Sequence, residues 1–436
     1  MEKTNNITII GGGILGISIA YFLSSIIKNK SILVIDQAPT VAYHTSSRNT
    51  GKVHAPFLYD PEKKKLFAKA ASMGFEMWET YAKIKNLPFK RDGVLEVATD
   101  EKGIERLEKY KRWGEINGLK KDELQLLDNT EVSKMEPEVK CKKAIYCTKD
   151  GSVDYGAFTN ALANDAKANG AAILLETKVT KISHSDDFIK IDTLNHDTIK
   201  TKFLINAAGG QAIDIAHHAD VAKNLTDIHF RGEYWEAGSE YKDLTKVSVY
   251  SVPKHSQYPF LDPHWIVRAD GRREIGPNAV PVTSPYAYDF QSNLKSLFPK
   301  IIEILGSGAR KVIFDPQFLS LASEEFLSSL SKTVMINRVR EFLPKIKPSA
   351  FKKRGTAGIR SSVVNENATF VPDAVLKEGP MSFHILNYNS PGATGALPFS
   401  VYVIMQMHEK GILQIDDTPN KCGPWNFHDI AENITM

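Results

Sequence analysis

The opening forty residues constrain this chain more than any other stretch. Ile7-Thr8-Ile9-Ile10 is a short β-branched run suited to a strand buried on both faces, and Gly11-Gly12-Gly13-Ile14-Leu15-Gly16 follows it without a gap. Apolar residues at Ile17, Ala20, Tyr21 and Leu23 then predict a helix. A second strand, Ser31 to Ile35, ends at Asp36. Strand, tight glycine turn, helix, strand and acid together make a complete dinucleotide-binding unit, which a lone glycine pattern would not.

Each part has a physical task. Gly11 permits the turn, Gly13 lets the backbone approach a pyrophosphate, and Gly16 lets the helix pack closely on the strand. Ile14 and Leu15 open the helix, where unpaired N–H groups and the positive dipole end face the phosphates. Asp36, 20 residues beyond Gly16, is placed to accept hydrogen bonds from a ribose hydroxyl, and Gln37 follows it. The alternative, a glycine turn without a ligand, does not explain the strand and acid that follow.

With 436 residues, 42% hydrophobic and 24% charged, the chain can bury a large core and suggests two domains. Lys plus Arg number 55 against 51 Asp plus Glu, so nothing in the charge demands nucleic acid. The runs Lys63-Lys64-Lys65 and Lys352-Lys353-Arg354 read as solvated surface, with a membrane-surface role as the lesser reading. Cys141, Cys147 and Cys422 form no CxxC pair, which points away from a disulfide framework or a metal site and toward a reducing cytoplasm. The stretch Ile7 to Ile27 is interrupted by glycines and changes period midway, so it is not expected to span a membrane. Peripheral attachment at the inner face of the cell membrane, or to a partner protein, is left open.

Three later segments decide between nicotinamide and flavin. Tyr43-His44-Thr45-Ser46-Ser47-Arg48-Asn49-Thr50-Gly51-Lys52-Val53-His54 is polar and small enough to run along a phosphate and a flavin. Phe203 to Asn206 reads as a buried strand ending in Ala207-Ala208-Gly209-Gly210, the second close-approach turn that a long FAD requires. Asn389-Ser390-Pro391-Gly392-Ala393-Thr394 precedes a helical stretch, Phe399 to Glu409, whose N-terminus could stabilise negative charge on a reduced ring. Lys178 and Val179 are also assigned to the cofactor.

These residues resemble the D-amino-acid-oxidase-like flavoprotein superfamily, and within it most of all the L-2-hydroxyglutarate dehydrogenases. The resemblance runs from residue 7 to about residue 410. Its general parts are Gly11 to Asp36, Gly151-Ser152-Val153-Asp154 and Asn206-Ala207-Ala208-Gly209. Its more discriminating parts are His44 to His54, Lys90 to Thr99, Phe230-Arg231-Gly232-Glu233-Tyr234, Val252-Pro253 with Tyr258 to Leu261 and His264, Gly276 to Ala279, and Ala357-Gly358-Ile359-Arg360. The chain departs from the family at Arg48, Lys52, Pro56 and Asp262-Pro263. Arg48-Asn49 before a glycine also resembles FAD-dependent glycerol-3-phosphate dehydrogenases, and the two added cations keep a phosphorylated substrate in view.

The resemblance implies an α/β fold: a Rossmann-like FAD-binding domain with a discontinuous substrate domain on a mostly antiparallel sheet. The expected division is 1–88, 145–225 and 340–415 for FAD, 89–144 and 226–339 for substrate, and a C-terminal tail at 416–436 without clear periodicity. Phe158 to Asn169 and Gly103 to Asn117 look helical, and Ala172 to Leu175 looks like a strand.

Oxidising an alcohol with a flavin needs a group to receive the hydroxyl proton and fixed cations for the substrate's anionic ends. His54 is the first candidate base, set against a histidine that merely packs on the flavin; His264 is the reserve, set against a satisfied histidine on a sheet. Arg360 and Arg231 are the expected anion binders, Arg360 also close to the ring, although Arg231 could instead form an ion pair with Glu233. Lys52, Arg268 and Asn278 are further substrate-binding candidates, and Tyr234, Trp235 and Trp265 read as packing or pocket walls. The expected activity is conversion of L-2-hydroxyglutarate to 2-oxoglutarate, with electrons passed to a quinone or other acceptor. Glycerol 3-phosphate oxidation, a redox-silent flavin-bound scaffold and, less directly, an amine oxidase are the alternatives.

Overall fold

The computed structural model describes residues 4–27, 29–253, 262–415 and 421–435. Thr4–Ile10 lies at the centre of the first eight-stranded sheet, flanked in parallel by Ile199–Asn206 and Ile32–Ile35. Ala172–Leu174 continues the parallel order beyond Ile32–Ile35. Along its far edge, Ile199–Asn206 pairs first with Ile189–Thr193, antiparallel, and at its end with Ser382–Leu386, parallel. Val179–His184 and Val375–Gly379 close the sheet as antiparallel additions. Continuous apolar strands are what a sheet covered on both faces requires. Accordingly Ile7, Ile9 and Val34 pack under one set of helices, while Ile10, Ile35 and Leu204 pack under another.

On the first face lie the helices Ile14–Ile26, Tyr155–Ala168 and Gly392–Glu409, with Lys65–Lys85 outside them. The helix Gly392–Glu409 begins seven residues before Phe399, where the sequence pattern starts, and carries Pro398 within it. The opposite face is covered by Ala212–His218.

A second eight-stranded sheet runs in the order Lys353–Arg354, Trp235–Glu236, Arg273–Gly276, His264–Val267, Ser248–Ser251, Val94–Ala98, Lys143–Cys147, Leu124–Asp128. Its pairs are antiparallel except that of Val94–Ala98 with Ser248–Ser251. Two three-stranded sheets complete the core: Val280–Val282, Thr226–Gly232 and Gly358–Val364, and Lys52–Val53, Gly151–Val153 and Phe89–Lys90.

Two regions differ from expectation. Residues 290–340, expected within a sheet-based region, instead form five helices; Leu297–Leu305, Ala309–Ile313 and Pro316–Leu330 pack on the strand Thr226–Gly232, and Lys332–Arg340 packs under the second large sheet. These helices are short, with Pro299 inside one and Pro316 opening another, and much of their apolar pattern faces outward, so it does not report a core. The tail holds a hairpin, Lys421–Cys422 with Trp425–Asn426, and a helix, Phe427–Thr435. Trp425 stacks on Tyr81 and meets Tyr21 edge-on and Phe22 at a tilt, which ties the tail to the first helix. Among the described residues no helix is long and apolar enough to cross a membrane.

Candidate functional site

The glycine turn is built as a cradle. Gly11 has φ of +123°, and a methyl group there would lie 2.3 Å from the Ala207 carbonyl oxygen. No side chain other than hydrogen fits that close approach of the first and fourth parallel segments. At Gly16 a methyl would meet the Gly11 carbonyl oxygen at 2.0 Å, so the helix sits directly on the turn. The helix opens without a side-chain cap from Gly13 and without acids in its first turn, which leaves its positive end suited to an anion. Ser46 Oγ accepts the Ile14 N–H at 2.9 Å, pinning the 43–54 segment against the turn. The Asp36 carboxylate accepts the N–H groups of Gly12, at 2.6 Å, and Ala38, at 2.8 Å. Each oxygen keeps a further lone pair for a hydroxyl.

The rest of the 43–54 segment is tied mainly to its own backbone and to the strand Gly358–Val364. Thr45 Oγ1 donates to the Ile359 carbonyl at 2.9 Å, Asn49 donates to the Thr45 carbonyl at 3.0 Å and accepts from Gly51, and Ser47 donates to His44. His44 meets the Tyr288 hydroxyl at 3.0 Å, and Arg48 lies over the Tyr288 ring at 4.4 Å. Gln37 donates to the Tyr286 hydroxyl and reaches Gln211. Ala207 donates to the Ile10 carbonyl, Ala208 to the Asn206 side chain, and Gly209 has φ of +56°. Lys178 accepts from Leu194 through its carbonyl, and Val179 starts the edge hairpin of the sheet.

At the other end of that segment, Val53 is fully buried and the His54 N–H donates to Thr394 Oγ1 at 3.1 Å. Thr394 lies in the first turn of Gly392–Glu409, and Trp78 donates to the carbonyls of Ala393 and Thr394 at 3.0 and 2.9 Å. Pro391 precedes that helix, and the Tyr388 hydroxyl donates to the Gly392 carbonyl. The segment following the glycine turn and the C-terminal helix therefore meet at His54.

His54 stands in a cluster that sequence reading found only in part. Its Nδ1 lies 3.7 Å from an Asp150 carboxylate oxygen, and its ring is edge-on to Tyr250 at 6.2 Å. Tyr250 in turn stacks on His264 with ring centres 4.1 Å apart. Buried polar atoms normally have partners, yet His54 Nδ1, the Tyr250 hydroxyl and His264 Nδ1 have no hydrogen-bond partner among the described residues. Burial pushes the His264 imidazole down to about 3, so it stands neutral at neutral pH. Asp150 directly precedes Gly151-Ser152-Val153-Asp154 and could have been found as the acid before that motif. Tyr250 carried no comparable signal.

The expected anion binders separate into two groups. Lys52 is buried, with its ammonium donating to Asp92 at 3.1 Å and Ser152 at 2.9 Å and lying 3.5 Å from Asp150. Its charge is committed to this internal cluster rather than to a pocket. Arg231 pairs with Glu233 at 3.0 Å and donates to the Ala287 carbonyl, so the ion-pair alternative is the one observed. Arg268 pairs with Glu274 and donates to the Asn49 carbonyl; Asn278 is buried between Glu233 and Ser328. Tyr234 and Trp265 are buried, the latter donating to Thr245 at 2.8 Å, and Trp235 lies under Arg354. Arg360 lies on the strand that holds Thr45, and burial pushes its guanidinium down to about 10, with Tyr234 acting in the opposite direction. Lys64, read as solvated, is half-buried, and the Arg360 charge adds to burial in lowering its affinity for a proton. The Tyr258 to Leu261 motif lies outside the described residues.

The comparisons with known proteins agree with this architecture. L-2-hydroxyglutarate dehydrogenase of Indibacter alkaliphilus is 29% identical over 395 residues, covering 90% of this chain and 96% of its own. The mitochondrial L-2-hydroxyglutarate dehydrogenase of Bos taurus is 28% identical over 424 residues, 93% of this chain and 89% of its own. Among solved structures, the dithionite-reduced L-alpha-glycerophosphate oxidase of Mycoplasma pneumoniae with FAD bound shares the fold with a TM-score of 0.76, at 21% identity, over 97% of this chain and 100% of that one. Glycine oxidase of Geobacillus kaustophilus aligns with a TM-score of 0.69 at 16% identity, over 97% and 99%. The FAD dependent oxidoreductase family model matches residues 6–400. The Gly11 cradle, the open helix end above it and the acid at Asp36 fit that cofactor, and the chain belongs to the FAD dependent oxidoreductases.

Proposed function

We propose that the protein oxidises L-2-hydroxyglutarate to 2-oxoglutarate. The observation that carries this reading is the His54–Tyr250–His264 cluster, three adjoining rings whose buried polar atoms have no hydrogen-bond partner among the described residues, seated on Thr394 at the helix end. Gly11, Gly13, Ile14, Leu15, Gly16 and Asp36 would hold the nucleotide end of FAD. Ser46, Asn49, Gly51, Ala207, Gly209 and Pro391 to Thr394 would bed its remainder. Bound FAD supplies an acceptor for the hydride leaving the substrate's carbinol carbon.

The protein's own groups would manage the proton and the anions. His54 receives the hydroxyl proton through a ring nitrogen, and Asp150 at 3.7 Å steadies the imidazolium that results. Lys52 holds Asp150 in place from the other side. Neutral His264 and the Tyr250 hydroxyl offer hydrogen bonds to the substrate oxygen without adding charge. Arg360, with Lys64 near it, provides positive potential for the two carboxylates. The relatives named above, which span nine-tenths of the chain at up to 29% identity, support the same substrate. The sequence argument for glycerol 3-phosphate loses its footing, because Lys52 is tied to Asp92 and Arg48 lies on Tyr288. Quinones are the acceptor class we assign to the second half-reaction, and the cytoplasm, at the inner face of the membrane, its place.

Anaerobic reduction of the purified flavoprotein tests this, with L- and D-2-hydroxyglutarate, glycerol 3-phosphate and sarcosine in parallel. Bleaching by the L-hydroxy acid alone is expected; bleaching by glycerol 3-phosphate alone refutes the substrate, and bleaching by none supports a redox-silent scaffold. Arg360→Ala should raise the half-saturating substrate concentration by about tenfold to a hundredfold, the worth of a charge-assisted hydrogen-bond pair. An unchanged value removes Arg360 from the pocket.

A further inference from the structure

The helical layer at residues 290–334 is amphipathic in the reverse of the usual sense. Surface helices ordinarily turn charge outward and apolar side chains inward. In Leu297–Leu305 the cation Lys300 points inward, buried against Asp227 and Glu303, while Phe298, Ile301, Ile302 and Leu305 are exposed. Their spacing places all four on one helical face. In Pro316–Leu330 the buried side is Phe318, Leu321, Glu325 and Ser328, and the exposed side carries Leu319, Phe326 and Leu330 in line. Eleven of the fifteen exposed large hydrophobics among the described residues fall between Leu294 and Val334; Phe298 is 77% exposed and Leu330 74%. Scattered exposed apolar residues are ordinary, but such a concentration marks an interaction surface.

Charge decides the occupant. The exposed ionic side chains of this stretch are Lys295, Arg310 and Lys311, against the single acid Glu324. A two-fold contact between copies would bring those cations together and is disfavoured. Phenylalanine, leucine and isoleucine rimmed by lysine and arginine match the interfacial region of an anionic lipid bilayer.

We propose that the outer face of the helices at 290–334 docks on an anionic membrane surface, with Phe298, Ile302 and Leu330 entering the acyl boundary and Lys295, Arg310 and Lys311 meeting lipid phosphates. This surface is separate from the His54 pocket, and its assignment does not depend on which substrate is oxidised there.

The test is flotation of the full-length flavoprotein with vesicles of phosphatidylglycerol and phosphatidylcholine, and with phosphatidylcholine alone. Binding to the mixed vesicles is expected, falling at least about tenfold on neutral ones or in high salt. The triple variant Phe298→Ser, Ile302→Ser, Leu330→Ser should lose binding by about a hundredfold while keeping its yellow colour, thermal midpoint and flavin reduction rate. A second variant, Lys295→Glu, Arg310→Glu, Lys311→Glu, leaves the apolar face intact and should lose anionic-vesicle binding as well. The proposal is overturned if the parent protein does not float with anionic vesicles, or if both variants float as it does. A dimer that the serine variant dissociates, with no vesicle binding by the parent, would give the face to a second copy and equally overturn it.

Discussion

The proposed nucleotide end and the proposed substrate end of the site are made of different material. Around Gly11, Gly16 and Ala207 the work is done by backbone: missing side chains, a bare helix end and one acid held by two N–H groups. Around His54 it is done by side chains from far-apart segments, Asp150, Tyr250 and His264. The first kind of site tolerates no added atom, because backbone cannot step aside. The second should respond most sharply to changes of protonation or charge.

The sharpest way to break that contrast is to alter protonation alone. His54→Asn or Asp150→Asn should lower the rate of flavin reduction by about a thousandfold, the ordinary worth of a positioned base, with flavin content unchanged. A loss below tenfold in both variants, measured by stopped-flow absorbance, would return His54 to a packing role. Gly11→Ala probes the backbone end. Its methyl would strike Ala207 at 2.3 Å in a backbone conformation that alanine resists, so about 3 kcal/mol of stability and most of the bound flavin should be lost. Denaturant melts and the 450 nm region absorbance, a general flavin signature, would read both.

Lys52→Met sharpens the comparison between committed and available cations. Removing one member of the buried Asp92–Lys52–Asp150 cluster should cost about 3 kcal/mol, with KM unchanged. A tenfold rise in KM without a change in melting would place Lys52 against substrate instead. The effect that is smallest near neutral pH concerns His264, whose folded form resists protonation until about pH 3. The unfolded chain takes up that proton near pH 6.5, so stability is intact above that value and falls as pH drops toward 3. His264→Gln should flatten the melting-temperature slope in that window, by at most about 1.4 kcal/mol per pH unit at 25 °C. An unchanged slope would mean that the imidazole titrates normally.

The parts of the fold legible in the sequence are those whose contacts are local. Ile7 to Asp36 can be read because strand, turn, helix and acid follow one another, and Ile199–Asn206 because its apolar run ends in small residues. Lys52 could not be assigned by sequence, since its partners are 40 and 100 positions away and only folding brings Asp92 and Ser152 to it. Likewise Tyr250 joins His264 only because its strand, Ser248–Ser251, pairs with His264–Val267. The helices after residue 289 escaped for another reason: with apolar faces turned outward, their pattern does not report a core.

The contact between the helices Lys65–Lys85 and Gly392–Glu409 has a consequence for how the chain can vary. A methyl at Gly74 would lie 2.0 Å from the Thr394 carbonyl oxygen, and one at Gly395 would lie 2.7 Å from the Ala70 methyl. Positions 70, 74 and 395 thus form one steric unit in which bulk gained on either helix pushes the other aside. Since the His54 N–H donates to Thr394, a single added carbon on the face of Lys65–Lys85 that meets Gly392–Glu409 would be felt at His54, through displacement and without any change of charge.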